Sequence, residues 1–100
     1  MIKVNVKYNN NKVYELVIKG HAGYDVHGKD IVCAAVSSIT TTTVNGILAL
    51  NKNSLSYMVS KKGLSIDIKN TDETTQILIG NMVSLLKELE VNYPENIEVK

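Results

Sequence analysis

The residues able to do chemistry in this chain gather in one stretch. Between Gly20 and Ser37 the sequence reads GHAGYDVHGKDIVCAAVS, and it holds both histidines, the only cysteine and three of the six glycines. A thiol and an imidazole are the two groups that nucleophilic acyl transfer needs. The imidazole takes the thiol proton, the sulfur attacks a carbonyl, and the imidazolium then protonates the leaving amine. His21 and Cys33 are the candidate pair. His27 is a competing imidazole, but it lies mid-segment beside Gly28 and is harder to hold still. Asp30 has the residue type of a helix N-cap and stands three positions before Cys33. A helix starting there puts the sulfur in the first turn, where the positive end of the helix dipole favours thiolate. The Asp30 carboxylate opposes that effect if it faces the sulfur. The backbone N–H groups of Cys33 and Ala34 are then candidates for an oxyanion site. Ser37, one turn later, can support the sulfur or bond back to the carbonyl of residue 33.

Taken singly, each residue also has a plainer explanation. A cysteine among Ile31, Val32, Ala34 and Ala35 is often a small buried hydrophobe, and a lone histidine is more often solvated than catalytic. Gly20, Gly23 and Gly28 suit a hinged loop that orders around a ligand, and equally an ordinary surface turn. His21, His27, Cys33 and one of Asp25 or Asp30 supply enough donors for a metal, but the spacing matches no familiar zinc module. The Cys33–His21 thiol–imidazole pair ranks above a metal, and no metal or cofactor is expected. Tyr24, Tyr57 and Tyr93 are candidates to line a cleft, with core or rim packing the plainer explanation for each.

The flanking sequence sets the elements that must hold this stretch. Ile2, Val4, Val6 and Tyr8 alternate as one face of a strand, and Asn9 to Asn11 supply turn chemistry. In the next strand, Val13 to Lys19, Tyr14, Leu16 and Ile18 fall on one side and Val13 and Val17 on the other. From Ile31 the period lengthens: Val32, Val36, Ile39, Thr43, Ile47 and Leu50 mark a helix despite the β-branched run. Residues 55 to 59 and 64 to 68 read as a second hairpin turning at Lys61 to Gly63. Asn70 with Glu73 resembles a capping box. The helix after it presents Ile77 or Leu78, Met82, Leu85, Leu86 and Leu89, and Pro94 stops it. Ile97 and Val99 allow a short last strand. The expected class is α+β: two β-hairpins each followed by a helix, with both helices on a small antiparallel or mixed sheet.

Composition narrows the function. One hundred residues suit a single domain spanning the chain. The net charge of +1, with no arginine, phenylalanine or tryptophan, argues against direct nucleic-acid binding. The start has no leader pattern, and the run from Ile31 to Leu50 is broken by hydroxyl residues, Asn45 and Gly46, so a membrane span is not expected. A lone cysteine cannot form an internal disulfide, and Cys33 is expected to remain a thiol in the reducing cytoplasm.

The stretch GHAGYDVHGKDIVCAAVS resembles the signature of the Prp family of ribosomal-processing cysteine proteases, in which a GHA segment and a G-x-DIVCAA segment flank a short variable loop. Chain length, element order and the closing NYPENIEVK are also similar to that family, so the resemblance spans essentially the full chain. It implies a cytoplasmic endopeptidase that removes the N-terminal extension of large-subunit ribosomal protein twenty-seven, cutting after a small residue that follows aromatic ones. The histidine of GHA and the cysteine of DIVCAA are the family's catalytic pair, which carries over to His21 and Cys33. The supporting aspartate and serine carry over to Asp30 and Ser37. The resemblance also implies a homodimer and a loop that orders on substrate. Nothing transfers to Tyr24, Asp25, Val26, His27 or Lys29. A non-enzymatic ribosome-associated module that grips a peptide, with Cys33 merely packed, is the alternative from another class.

Overall fold

The computed structural model describes residues 1–21, 23–25, 30–70 and 72–100. Its elements are β1 (Ile2–Asn9), β2 (Lys12–Lys19), α1 (Ile31–Leu50), β3 (Leu55–Ser60), β4 (Gly63–Ile68), α2 (Glu73–Asn92) and β5 (Ile97–Val99). The expected order holds, and the last strand forms. The sheet runs β3-β4-β2-β1-β5. Every neighbouring pair is antiparallel except β1 with β5, so the sheet is mixed.

Register explains why the alternating residues make one core. Val6 faces Leu16, Leu16 faces Ile66 and Ile66 faces Tyr57, while Val4, Ile18, Leu64 and Val59 form the next row. Side chains in a row share a face, and α1 and α2 cover that face. Val32, Val36, Val44, Ile47, Ile79, Met82, Val83 and Leu86 enter the same buried cluster as Leu16 and Ile66. The β1–β2 turn is made by Asn10 and Asn11 at φ 53° and 65°, the left-handed pair that a two-residue hairpin requires and that asparagine tolerates.

Four sequence expectations are corrected by local geometry. Tyr8 pairs with Val13 where the register slips after Lys7. Tyr14 is the extra residue of that bulge and turns outward, and Val13 takes the core position instead. There its N–H and C=O bond to the Gln76 side chain, both at 2.9 Å, so an amide stands in for a missing strand partner. On α1 the buried stripe is Val32, Val36, Thr40, Val44 and Ile47. It drifts from the Thr43 and Leu50 positions because a straight helix advances slightly more than three and a half residues per turn. On α2 Leu78 packs against the core as one of the two expected residues, Ile79 is buried beside it, and Ile77 and Leu85 are exposed. The cap of α2 is Asp72, whose Oδ1 accepts the Thr75 N–H at 3.0 Å. Asn70 instead closes a turn on the Asp72 N–H.

α1 is 20 residues long with mean hydropathy 1.5, enough by length and composition to cross a membrane. The hydroxyls and Asn45 do not lower it below that mark, contrary to expectation. In this fold the helix instead lays its stripe of β-branched residues on the sheet.

Candidate active site

The site forms where β2 ends and α1 begins. Gly20 turns the chain out of β2 at φ 95°, and a Cβ on it would overlap the Met1 carbonyl oxygen. Only glycine fits both the dihedral and the space, so Gly20 is a packed turn that delivers His21. Gly23 also has a positive φ, 68°, with open space around it. Gly28 and His27 lie outside the described residues.

Asp30 caps α1 as the sequence suggests. Its backbone is extended, and Oδ1 accepts the N–H groups of Val32 at 2.9 Å and Cys33 at 3.0 Å. Oδ2 accepts the Tyr24 N–H at 3.0 Å. One carboxylate therefore joins the start of the helix to the segment that follows His21. The Cys33 N–H, foremost, holds the Asp30 carboxyl below its ordinary range. Partial desolvation opposes this, while the N–H groups of Tyr24, Asp25 and Val32 add to it. The Tyr24 ring meets Tyr93 edge to face, with centroids 5.4 Å apart and planes at 88°. Tyr93 is the C-cap of α2, so both helices contribute to holding residues 23–25.

These bonds occupy the donors expected to form the oxyanion site. The Cys33 N–H is taken by the Asp30 carboxylate, and the Ala34 N–H makes the first intrahelical bond, to the Asp30 carbonyl at 3.1 Å. Neither is open to a substrate in this state. An N-cap carboxylate and an oxyanion are both anions seeking the same donor.

His21, Asp30, Cys33 and Ser37 share one cleft of about 440 Å³ with Gly23 and Asp25. A second cleft of about 300 Å³ shares His21, Cys33 and Ser37 and continues to Val36 and Gly63. Cys33 is partly buried and packs against the core, while His21 and Ser37 are exposed. All four residues singled out by the sequence thus come together. Among the described residues no three His, Cys, Asp or Glu side chains cluster as metal ligands. The arrangement offers a thiol at a helix start, an exposed imidazole across a cleft, and a carboxylate that joins the two segments carrying them. Gly63 is the wall residue that the sequence did not mark: it reads as a hairpin turn, and only the approach of β4 to β2 brings it here.

The chain as a whole is similar to known proteins. The model of the family described as cysteine protease Prp matches residues 1–98. The ribosomal processing cysteine protease Prp of Staphylococcus aureus is 30% identical over 103 residues, covering 99% of this chain and 97% of the relative. That of Mycoplasma genitalium is 34% identical over 101 residues, covering 99% and 94%. The crystal structure of the S. aureus protease with a covalently linked product peptide superposes with a TM-score of 0.94 at 29% identity, covering 100% of this chain and 98% of that one. The same protease with a substrate peptide gives a TM-score of 0.86 at 29% identity, over the same shares.

Proposed function

The chain belongs to the Prp family of ribosomal processing cysteine proteases, and from that premise we propose that it removes the N-terminal extension of large-subunit ribosomal protein twenty-seven with Cys33 and His21 as its catalytic pair. It does so in the cytoplasm, as a homodimer. The observation that supports this reading is that His21 and Cys33 line the same cleft.

In the proposed reaction His21 takes the Cys33 proton and the sulfur attacks the scissile carbonyl carbon. The C–N bond breaks as the imidazolium protonates the departing amine, leaving a thioester on Cys33. Water, deprotonated by His21, attacks the thioester, and the released thiolate recovers the proton. Charge on the carbonyl oxygen develops near the positive end of α1. Because the Asp30 carboxylate holds the Cys33 N–H, that donor reaches the oxyanion only when Asp30 gives it up. Asp30 thus has a double part: it positions Cys33 against residues 23–25, and it competes with the oxyanion. Ser37, exposed on the same wall, supplies a hydroxyl one helical turn from the sulfur.

Incubating the protein with a peptide spanning the extension and its junction tests the reading. Cleavage at one bond, lost in Cys33→Ala and in His21→Ala, is expected. If the peptide binds but no bond breaks, the chain is a binding module.

A further inference from the structure

The two edges of the sheet are finished differently. The Lys69 N–H donates to the Ser54 carbonyl and the Lys100 N–H to the Val4 carbonyl, both at 2.8 Å. With the registers, these bonds fix which residues face which neighbour. On β3 the backbone groups of Ser56, Met58 and Ser60 turn toward β4, and those of Leu55, Tyr57 and Val59 turn outward. On β5 the outward donors are already used: Ile97 donates to the Tyr93 carbonyl at 3.2 Å and Val99 to the Glu90 carboxylate at 3.0 Å. Among the described residues, no hydrogen bond reaches the outward backbone groups of Tyr57 or Val59. β3 carries no charge and no proline, the usual guards of an exposed edge. Tyr57, Met58 and Val59 are 53%, 69% and 73% exposed.

Above that edge runs a furrow of about 240 Å³ between α1 and the sheet, lined by Thr40, Val44, Tyr57, Val59 and Leu64 among others. Thr40 is 4% exposed and its hydroxyl has no partner among the described residues, a polar group left for something else to satisfy. The furrow and the catalytic cleft share no lining residue, but their walls are neighbours along β4 and α1. Leu64 follows Gly63, and Thr40 lies one helical turn after Val36; Gly63 and Val36 line the cleft that holds His21 and Cys33.

We propose that the β3 edge and this furrow form a second binding track for the substrate polypeptide. An extended, uncharged stretch of substrate adds to the sheet outside β3, with alternate side chains dropping between α1 and the Tyr57–Val59 pair. This rests on the protease reading, because the adjacency of its walls to those of the catalytic cleft, Leu64 to Gly63 and Thr40 to Val36, is what identifies the occupant. The added strand stands three strand spacings from β2, roughly 14 Å, a distance that about four extended residues cross. The track therefore reads residues at least about four positions from the bond that is cut.

The test compares one short peptide, four residues on each side of the scissile bond, with versions lengthened at either end by six alternating valines and threonines. One lengthened peptide should have a KM at least tenfold lower than the short one. Val59→Lys, a change at an exposed position, should remove that advantage and leave kcat/KM of the short peptide unchanged. Single N-methyl groups placed along the extension should weaken binding at every second residue. An advantage that survives Val59→Lys, or N-methyl effects without that period, overturns the proposal. So does a Val59→Lys protein that passes from dimer to monomer with the length advantage intact, since the edge then joins two copies. Anisotropy of the labelled long peptide on Cys33→Ala reads the track without turnover. Val59-dependent binding there, with no cleavage by the unaltered protein, removes the protease reading and keeps the track.

Discussion

Replacing Gly20 with alanine separates the packed turn from a merely flexible one. At φ 95° a residue with a Cβ sits in a sparsely populated region, at a cost of about 1–3 kcal/mol, and the added carbon overlaps the Met1 carbonyl oxygen. That oxygen belongs to the backbone entering β1, so relief requires shifting either the first strand or the residue that carries His21. For a domain of 100 residues, each kcal/mol lowers Tm by roughly 4–8 °C. A displacement of about 1 Å at a catalytic group costs on the order of 10²-fold in rate. Gly46→Ala is the matched control: it lies within α1 with no atom near its Cβ, and alanine there should gain about 0.8–1.0 kcal/mol. Thermal unfolding and kcat/KM on one peptide report both effects. Gly20→Ala should lose stability and most activity, and Gly46→Ala should gain stability with activity unchanged. A Gly20→Ala enzyme with wild-type Tm and kcat/KM refutes the turn argument. One with lowered Tm and full kcat/KM confines Gly20 to the fold.

Other changes follow from bonds already described. Asp30 has its carboxyl held below the ordinary 3.8, so the stability it adds is complete above that value and is lost as pH falls through its lower folded value. Urea midpoints measured from neutral to acid pH should fall less steeply below about pH 4 in Asp30→Asn than in wild type; equal slopes contradict the cap's electrostatic part. Thr40→Val exchanges an unpartnered buried hydroxyl for a methyl group of similar shape and should be neutral or stabilising by about 1 kcal/mol; a clear loss by denaturant unfolding shows that the hydroxyl has a partner. Gln76→Leu strips both bonds from the Val13 backbone and should cost about 1–3 kcal/mol, with the loss read from faster amide exchange at Val13.

How much of this was legible beforehand depends on the range of the forces involved. Strands and helices came from local periodicity, which is why Val4, Leu16, Ile66 and Val36 were placed correctly in the core. The inward place of Tyr14 was not met, because a bulge is a two-strand event that one strand's sequence does not declare. Asp30 was legible as a cap from residue type and spacing alone. That its second oxygen reaches the Tyr24 N–H, and that its first closes the Cys33 donor expected to be open, depends on the path of the segment between them. Gly63 beside the cleft and Tyr93 against Tyr24 are contacts between distant parts of the chain, with no signal in either local sequence. The residues of the candidate site could be found without coordinates; the arrangement of their hydrogen bonds could not.

In the proposed reaction Cys33 becomes acylated by the peptide it cuts. Acid-quenching the enzyme during turnover of a peptide spanning the ribosomal-protein extension, then measuring intact mass and mapping the adduct, tests this directly. The expected adduct equals the N-terminal product less one water, lies on Cys33 and is absent in Cys33→Ala, which should cleave nothing. An adduct on another residue, or cleavage by Cys33→Ala at the wild-type rate, contradicts it.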